Sequence, residues 1–194
     1  MFMNKMKNMK LLLNILFILN SLIINPFLNV LAWYSSIESA NKLAILWIIE
    51  DNTQNPDNYR IDESITRAEM AKITINLSIK SRFSSELIKD KCEEKFTDLS
   101  SWNWACKYVE SWLEKGYFSL NKEFRPNDDI TKIEALKMIM KARWFDKTNN
   151  SDWRVGYVEN ALKLWIIEKI FTDYDNKATR WWIFKTSVNW VEVL

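Results

Sequence analysis

Ile65-Thr66-Arg67-Ala68-Glu69 and Ile130-Thr131-Lys132-Ile133-Glu134 follow one pattern: an apolar residue, a threonine, a cation, an apolar residue and a glutamate. Threonine at N-cap with glutamate at N3 makes a capping box, in which each side chain satisfies an amide that the first helical turn leaves without a partner. Met70-x2-Ile73-x-Ile75-x-Leu77 and Leu136-x-Met138-Ile139-Met140 follow, with the apolar spacing of core-facing helices. A third start, Ala178-Thr179-Arg180-Trp181-Trp182, keeps the threonine and the cation but lacks the glutamate. Seven residues before the threonine, Tyr59 and Phe124 introduce an aromatic followed by arginine.

Upstream lies a second repeated landmark. Trp104-x3-Tyr108-Val109-Glu110-x5-Gly116-Tyr117-Phe118 recurs with the same spacing as Trp153-x3-Tyr157-Val158-Glu159-x5-Trp165-Ile166-Ile167, and a weaker copy runs from Ala40 to Ile49 with Trp47 in the glycine slot. Each unit therefore reads helix, turn, loop, capped helix, which predicts an all-α fold.

Gly116, Trp47 and Trp165 share a slot at the end of an apolar-periodic helix, where the chain turns back through a left-handed residue. Glycine adopts that conformation freely, whereas a bulky residue there costs on the order of 1 kcal/mol or more. The chain has eleven tryptophans and only two glycines, Gly116 and Gly156, in 194 residues. This inversion, in a sequence whose Lys, Asn and Ile richness suits an AT-rich gene, points to UGA codons read as glycine but printed as tryptophan. Trp47 and Trp165 are the leading candidates, followed by Trp33, Trp102, Trp144, Trp181 and Trp190. Trp112 fits either reading. Trp104 and Trp153, four residues before a tyrosine, are expected to stack on it and enter the core. The alternative is that all eleven are genuine, in which case those other than Trp104 and Trp153, if exposed, form stacking platforms for sugar rings.

Lys5, Lys7 and Lys10 precede an apolar run from Leu11 to Ile24, and Val30-Leu31-Ala32 ends the segment. This is the pattern of a secretory signal peptide over residues 1–32, with an uncleaved anchor as the alternative. Its removal takes away three lysines and no acid, so 27 basic residues become 24 against 25 acidic ones. A nearly neutral chain with no Lys/Arg-rich run excludes a nucleic-acid footprint. Cys92 and Cys106 are the only cysteines, and export favours a disulfide between them over two buried thiols. With no histidine, neither a metal site nor an acid-base pair can be assigned, and the carboxylates form no recognisable catalytic set. No cofactor is expected.

Phe96-Thr97-Asp98, Trp104-Ala105, Tyr108-Val109, Gly116, Phe124-Arg125-Pro126 and Ile130-Thr131-x-x-Glu134 resemble, in order, the pattern of the S-layer homology (SLH) family. Copies are expected at 37–79, 96–143 and, degraded, 149–192, with a linker at 80–95. The resemblance implies a pseudo-threefold arrangement of helix-loop-helix repeats around a central three-helix bundle. It also implies grooves that take an acidic, often pyruvylated, cell-wall polysaccharide, with the cation of the Thr-Arg-Ala-Glu string at the groove. The matching positions are Arg67, Lys132 and Arg180, with the Arg67 groove ranked first because the third copy lacks its glutamate. An arginine can grip a carboxylate with two donors beside a helix N-terminus, whereas a lysine supplies charge without the fork. Thr66, Glu69, Thr131 and Glu134 read as helix caps rather than ligands. The expected function is a non-catalytic, secreted, wall-associated module that anchors itself or a partner at the cell surface. The alternative is a protein-docking or envelope-assembly unit that binds no glycan, a reading favoured by the lack of a cargo segment.

Overall fold

In the computed structural model, which describes residues 36–82, 88, 89, 91–118 and 120–192, helices occur where the caps predict them. The expected signal peptide, Trp33 and part of the 80–95 linker lie outside the described residues. We label the helix at residues 36–45 α1, followed by α2 (Arg67–Arg82), α3 (Cys106–Glu114), α4 (Lys132–Lys141), α5 (Trp153–Lys163) and α6 (Arg180–Glu192). Among the described residues there is no strand, only isolated bridges at Ser64 to Thr179, Thr66 to Asp129 and Thr131 to Lys177. The fold is all-α.

α4 begins with a complete capping box: Thr131 Oγ1 accepts from the Glu134 amide while Glu134 accepts from the Thr131 amide. At α2, Glu69 N–H donates to Thr66 Oγ1 at 3.2 Å and Thr66 N–H to Glu69 Oε2 at 3.0 Å. α6 retains half of the device, since Thr179 Oγ1 accepts from the Trp182 amide at 3.3 Å but Trp182 has nothing to return.

These three helix starts are sewn together by backbone hydrogen bonds that close on themselves. Ile65 N–H donates to Ala178 O, Ala178 N–H to Ile130 O, and Ile130 N–H to Ile65 O. Two residues further on, Arg67 donates to Asp128, Lys132 to Asn176 and Arg180 to Glu63 through the same main-chain atoms. α2, α4 and α6 touch one another, α3 packs on α2, and α5 packs on α4. Lys42 of α1 pairs with Glu192 at the end of α6. Ile65, Met70, Leu77, Trp112, Ile130, Leu136, Ile183 and Phe184 fill the buried interior.

Four helix ends share one turn. The amides of Trp47, Gly116, Trp144 and Trp165 bond three residues back, and those of Ile48, Tyr117, Phe145 and Ile166 bond five residues back. This is the Schellman pattern, which places the first residue of each pair in the left-handed region. The φ angles are 62° at Trp47, 69° at Gly116, 66° at Trp144 and 59° at Trp165. Trp144, a weaker candidate from sequence, thus joins the two leading ones. Trp181 and Trp190 lie within α6, and Trp102 sits in an exposed loop; none of these three has positive φ. Trp112 is fully buried, its indole N–H donating to Ala71 O at 3.1 Å, and it fills the contact between α3 and α2 as a large residue should.

Trp104 and Trp153 correct the expectation of core burial. Both stack edge-on against their tyrosines, with centroids at 6.3 and 6.2 Å, yet they are 52% and 39% exposed. Spacing of i, i+4 pairs the rings on one helical face, but each Trp stands at or before the helix start, where its outer face looks into a groove.

Cys92 and Cys106 form a disulfide that ties the segment after α2 to the first residue of α3. Reduction, or a Cys92→Ser/Cys106→Ser pair, is expected to lower stability by about 3 kcal/mol for a loop of this size. An unchanged urea midpoint in reductant would contradict this.

Candidate functional site

Each capping glutamate divides its two oxygens between two tasks. Glu134 Oε2 accepts from the Thr131 amide at 3.1 Å, while Oε1 accepts from Arg67 Nη1 at 2.8 Å. Glu69 does the same, with Oε2 on its own helix and Oε1 on Arg180 of α6. Burial works against both carboxylates, but the capping amides and the facing arginines outweigh it and hold both below the ordinary glutamate range. The cation and the glutamate of one string therefore point to different neighbours. Arg67 also donates from Nε to Phe124 O at 2.9 Å and lies over the Phe124 ring at 5.2 Å.

Lys132 has no such glutamate to meet, because Trp182 stands in that place and packs edge-on against Phe171 at 5.7 Å. Its ammonium turns to Asp173 at 2.5 Å instead. Asp173 stands six residues before Thr179, as Arg60 and Arg125 stand six before Thr66 and Thr131, where a second cation flanks the first. Ser35, aligned with Trp104 and Trp153, lies outside the described residues.

Arg180 and Arg67 each line a cavity of similar plan. The Arg180 cavity, about 760 Å³, runs from Arg60 and Glu69 to Trp104 and Tyr108 at the start of α3. Lys72 reaches over the Trp104 ring at 6.0 Å, so the indole is braced by a cation. The Arg67 cavity, about 590 Å³, runs from Arg125 and Glu134 to Trp153 and Arg154 at the start of α5. Lys137 lies over the Trp153 ring at 5.4 Å in the same manner. An aromatic face beside charged donors can hold a sugar ring and orient an anionic substituent.

Sequence reasoning placed the cations of the capping strings but missed Arg60, Lys72 and Lys107. Their signal was present in part, since Arg60 and Arg125 each follow the aligned aromatics Tyr59 and Phe124. The second glycine is also explained here. A Cβ on Gly156 would lie 3.0 Å from Lys147 Cβ and 3.2 Å from Thr148 O, so the preceding loop crosses α5 at this point. The aligned residue of the second unit is Lys107, which is free to project into its groove.

Residues 95–136 match the S-layer homology domain. These residues contain α3, the loop carrying Phe124 and Arg125, and the start of α4. The chain is 30% identical over 140 residues to the middle cell wall protein of Brevibacillus brevis, covering 70% of this chain and 13% of that protein. It is 26% identical over 141 residues to exoglucanase XynX of Acetivibrio thermocellus, covering 64% and 12%. It is 28% identical over 142 residues to amylopullulanase of Thermoanaerobacterium thermosulfurigenes, covering 64% and 7%. The chain thus spans at most 13% of the length of these relatives, and the S-layer homology match falls in the portion that carries the capped helix and its groove.

Proposed function

We propose that this chain is a non-catalytic cell-envelope module that binds an acidic wall polysaccharide in the grooves between its units. It would thereby hold itself or a partner at the cell surface. The observation that carries the reading is the repeated groove plan: an arginine fixed by a neighbouring unit's glutamate, facing a Trp–Tyr pair. The S-layer homology match and the cell-wall relative agree with it. The two relatives named as enzymes share only a small fraction of their length with this chain, which suits a module carried by proteins of different activities. Three units at 37–79, 96–143 and 149–192, arranged with pseudo-threefold symmetry, account for the closed cycle of backbone bonds. Export by a signal peptide at 1–32 would deliver the module to the wall. Pull-down of the purified chain on isolated wall polysaccharide should retain the wild type and lose Arg180→Ala. A wild type that passes through unbound while capturing an envelope protein would establish the docking reading instead.

We also propose that Trp47, Trp144 and Trp165 are printed for codons read as glycine. All three occupy the slot in which Gly116 sits, with the same bonding and the same sign of φ. Peptide mass spectrometry of the native protein should find glycine at these positions. A tryptophan mass at 47 and 165 would overturn the proposal.

A further inference from the structure

We infer that the chain carries one acidic-glycan site, in the Arg180 groove, and that Lys107 sets its preference for an anion. This inference rests on the glycan-binding reading and narrows it. The two cavities share a plan but differ in charge. Arg60, Lys72, Lys107 and Arg180 line the first against Glu50 and Glu69, a net of plus two. The second has Arg67, Arg125 and Arg154 against Asp128, Asp129, Glu134, Asp152 and Asp175, a net of minus two.

The difference arises at aligned positions. Asn103 in the first groove is Asp152 in the second, and Lys107 is Gly156. Arg154 adds a cation to the second groove but spends it on Asp152, with Nη2 at 2.9 Å from Oδ2. In the first groove most cations are likewise committed: Arg180 to Glu69, Lys72 to Glu50 at 3.3 Å, and Arg60 to Glu63 at 3.2 Å. Lys107 is the exception. Its ammonium lies over the Tyr108 ring at 5.2 Å, and among the described residues no carboxylate pairs with it. It is an exposed cation held beside the aromatic face on which a sugar would rest, so a substituent carboxylate gains an ion pair without breaking one. In the second groove every lining cation is committed, Arg67 to Glu134, Arg125 to Asp128 and Arg154 to Asp152, so the same ligand must break an ion pair against a net negative lining. The Lys132 side offers neither feature, because Asp173 neutralises its cation and Trp182 fills the glutamate's place. The order expected from the capping strings, with Arg67 first, is thereby reversed.

The test uses the full chain with isolated wall polysaccharide and with the same polymer after chemical reduction of its carboxyl groups. Lys107→Glu is expected to weaken binding to the native polymer at least tenfold, and carboxyl reduction should weaken wild-type binding by a similar factor. Arg154→Glu in the other groove should change affinity less than twofold. Lys107 is exposed, Arg154 pairs with Asp152 and lies over the Tyr174 ring at 5.1 Å, and thermal melts of both variants check folding. Equal loss on Arg154→Glu, or undiminished binding by Lys107→Glu, overturns the inference while leaving the anchoring reading intact. Failure of the wild type to bind either polymer removes both.

Discussion

Replacing Trp47, Trp144 and Trp165 together by glycine is expected to stabilise the printed chain by about 3 kcal/mol, and so to raise the melting temperature by roughly 6–12 °C. An L-residue in the left-handed region costs roughly 1–2 kcal/mol, from which the greater freedom of glycine in the unfolded chain must be deducted. About 1 kcal/mol per site remains. The opposing term is lost burial of the indole, and here it is small. Trp47 is 83% exposed, Trp165 80% and Trp144 64%. A real unfolded ensemble already buries roughly 10–40% of the surface that an extended chain exposes, so these side chains gain little or nothing on folding. Among the described residues, Trp144 alone of the three has a ring partner, Tyr117 at 6.0 Å, and its single substitution should help least. The three turns end different helices, so the effects should add. Trp112→Gly is the control. That residue is buried, helical and hydrogen-bonded, and its replacement should lower stability by several kcal/mol. Stability that falls in the triple variant would show that the indoles pack in a way their exposure denies.

The helices were legible in the sequence because capping and apolar period act within a few residues of one another. Thr66 with Glu69 and Thr131 with Glu134 locate α2 and α4 without reference to the rest of the chain. The left-handed slot was legible for a different reason: a repeat supplies its own control, and Gly116 marks the residue type that suits the slot Trp47 and Trp165 also occupy. Contacts between units were not legible. Nothing in Thr66-Arg67-Ala68-Glu69 says that Arg67 turns to Glu134 while Glu69 receives Arg180, since spacing along one helix carries no information about which neighbour lies against it. The same limit explains Trp104 and Trp153, whose pairing with tyrosine follows from spacing but whose outer faces depend on where the adjoining unit stops. The groove charges were readable only after these contacts were known, because Lys107 and Gly156 become alternatives once both units are placed against their neighbours.

Glu110 is a residue that the repeat marked and whose role only the fold reveals. It belongs to the Tyr-Val-Glu string shared by both strong copies, yet it is fully buried on α3. Its oxygens accept from the amides of Glu93 at 2.7 Å and Lys95 at 2.8 Å. A single carboxylate thus satisfies two backbone donors of the segment that carries Cys92, with Lys89 Nζ 4.0 Å away. Hydrogen bonds to a charged group contribute about 1.5–3 kcal/mol each, and removing the acceptor leaves its donors without a partner. Glu110→Ala should therefore cost about 3–5 kcal/mol, a large share of the 5–15 kcal/mol typical of a domain. Glu159, the aligned residue, provides the comparison. It is only partly buried and accepts from side chains, Thr148 Oγ1 at 2.6 Å and Asn150 Nδ2 at 3.3 Å, which water can satisfy in its absence. Glu159→Ala should cost about 1–2 kcal/mol. Glu110→Gln should fall between, since the amide retains one acceptor but turns an N–H toward a backbone donor. Urea titrations of the three variants decide the matter. If Glu159→Ala proves as damaging as Glu110→Ala, the repeated glutamate acts through its place on the helix rather than through the backbone donors it satisfies.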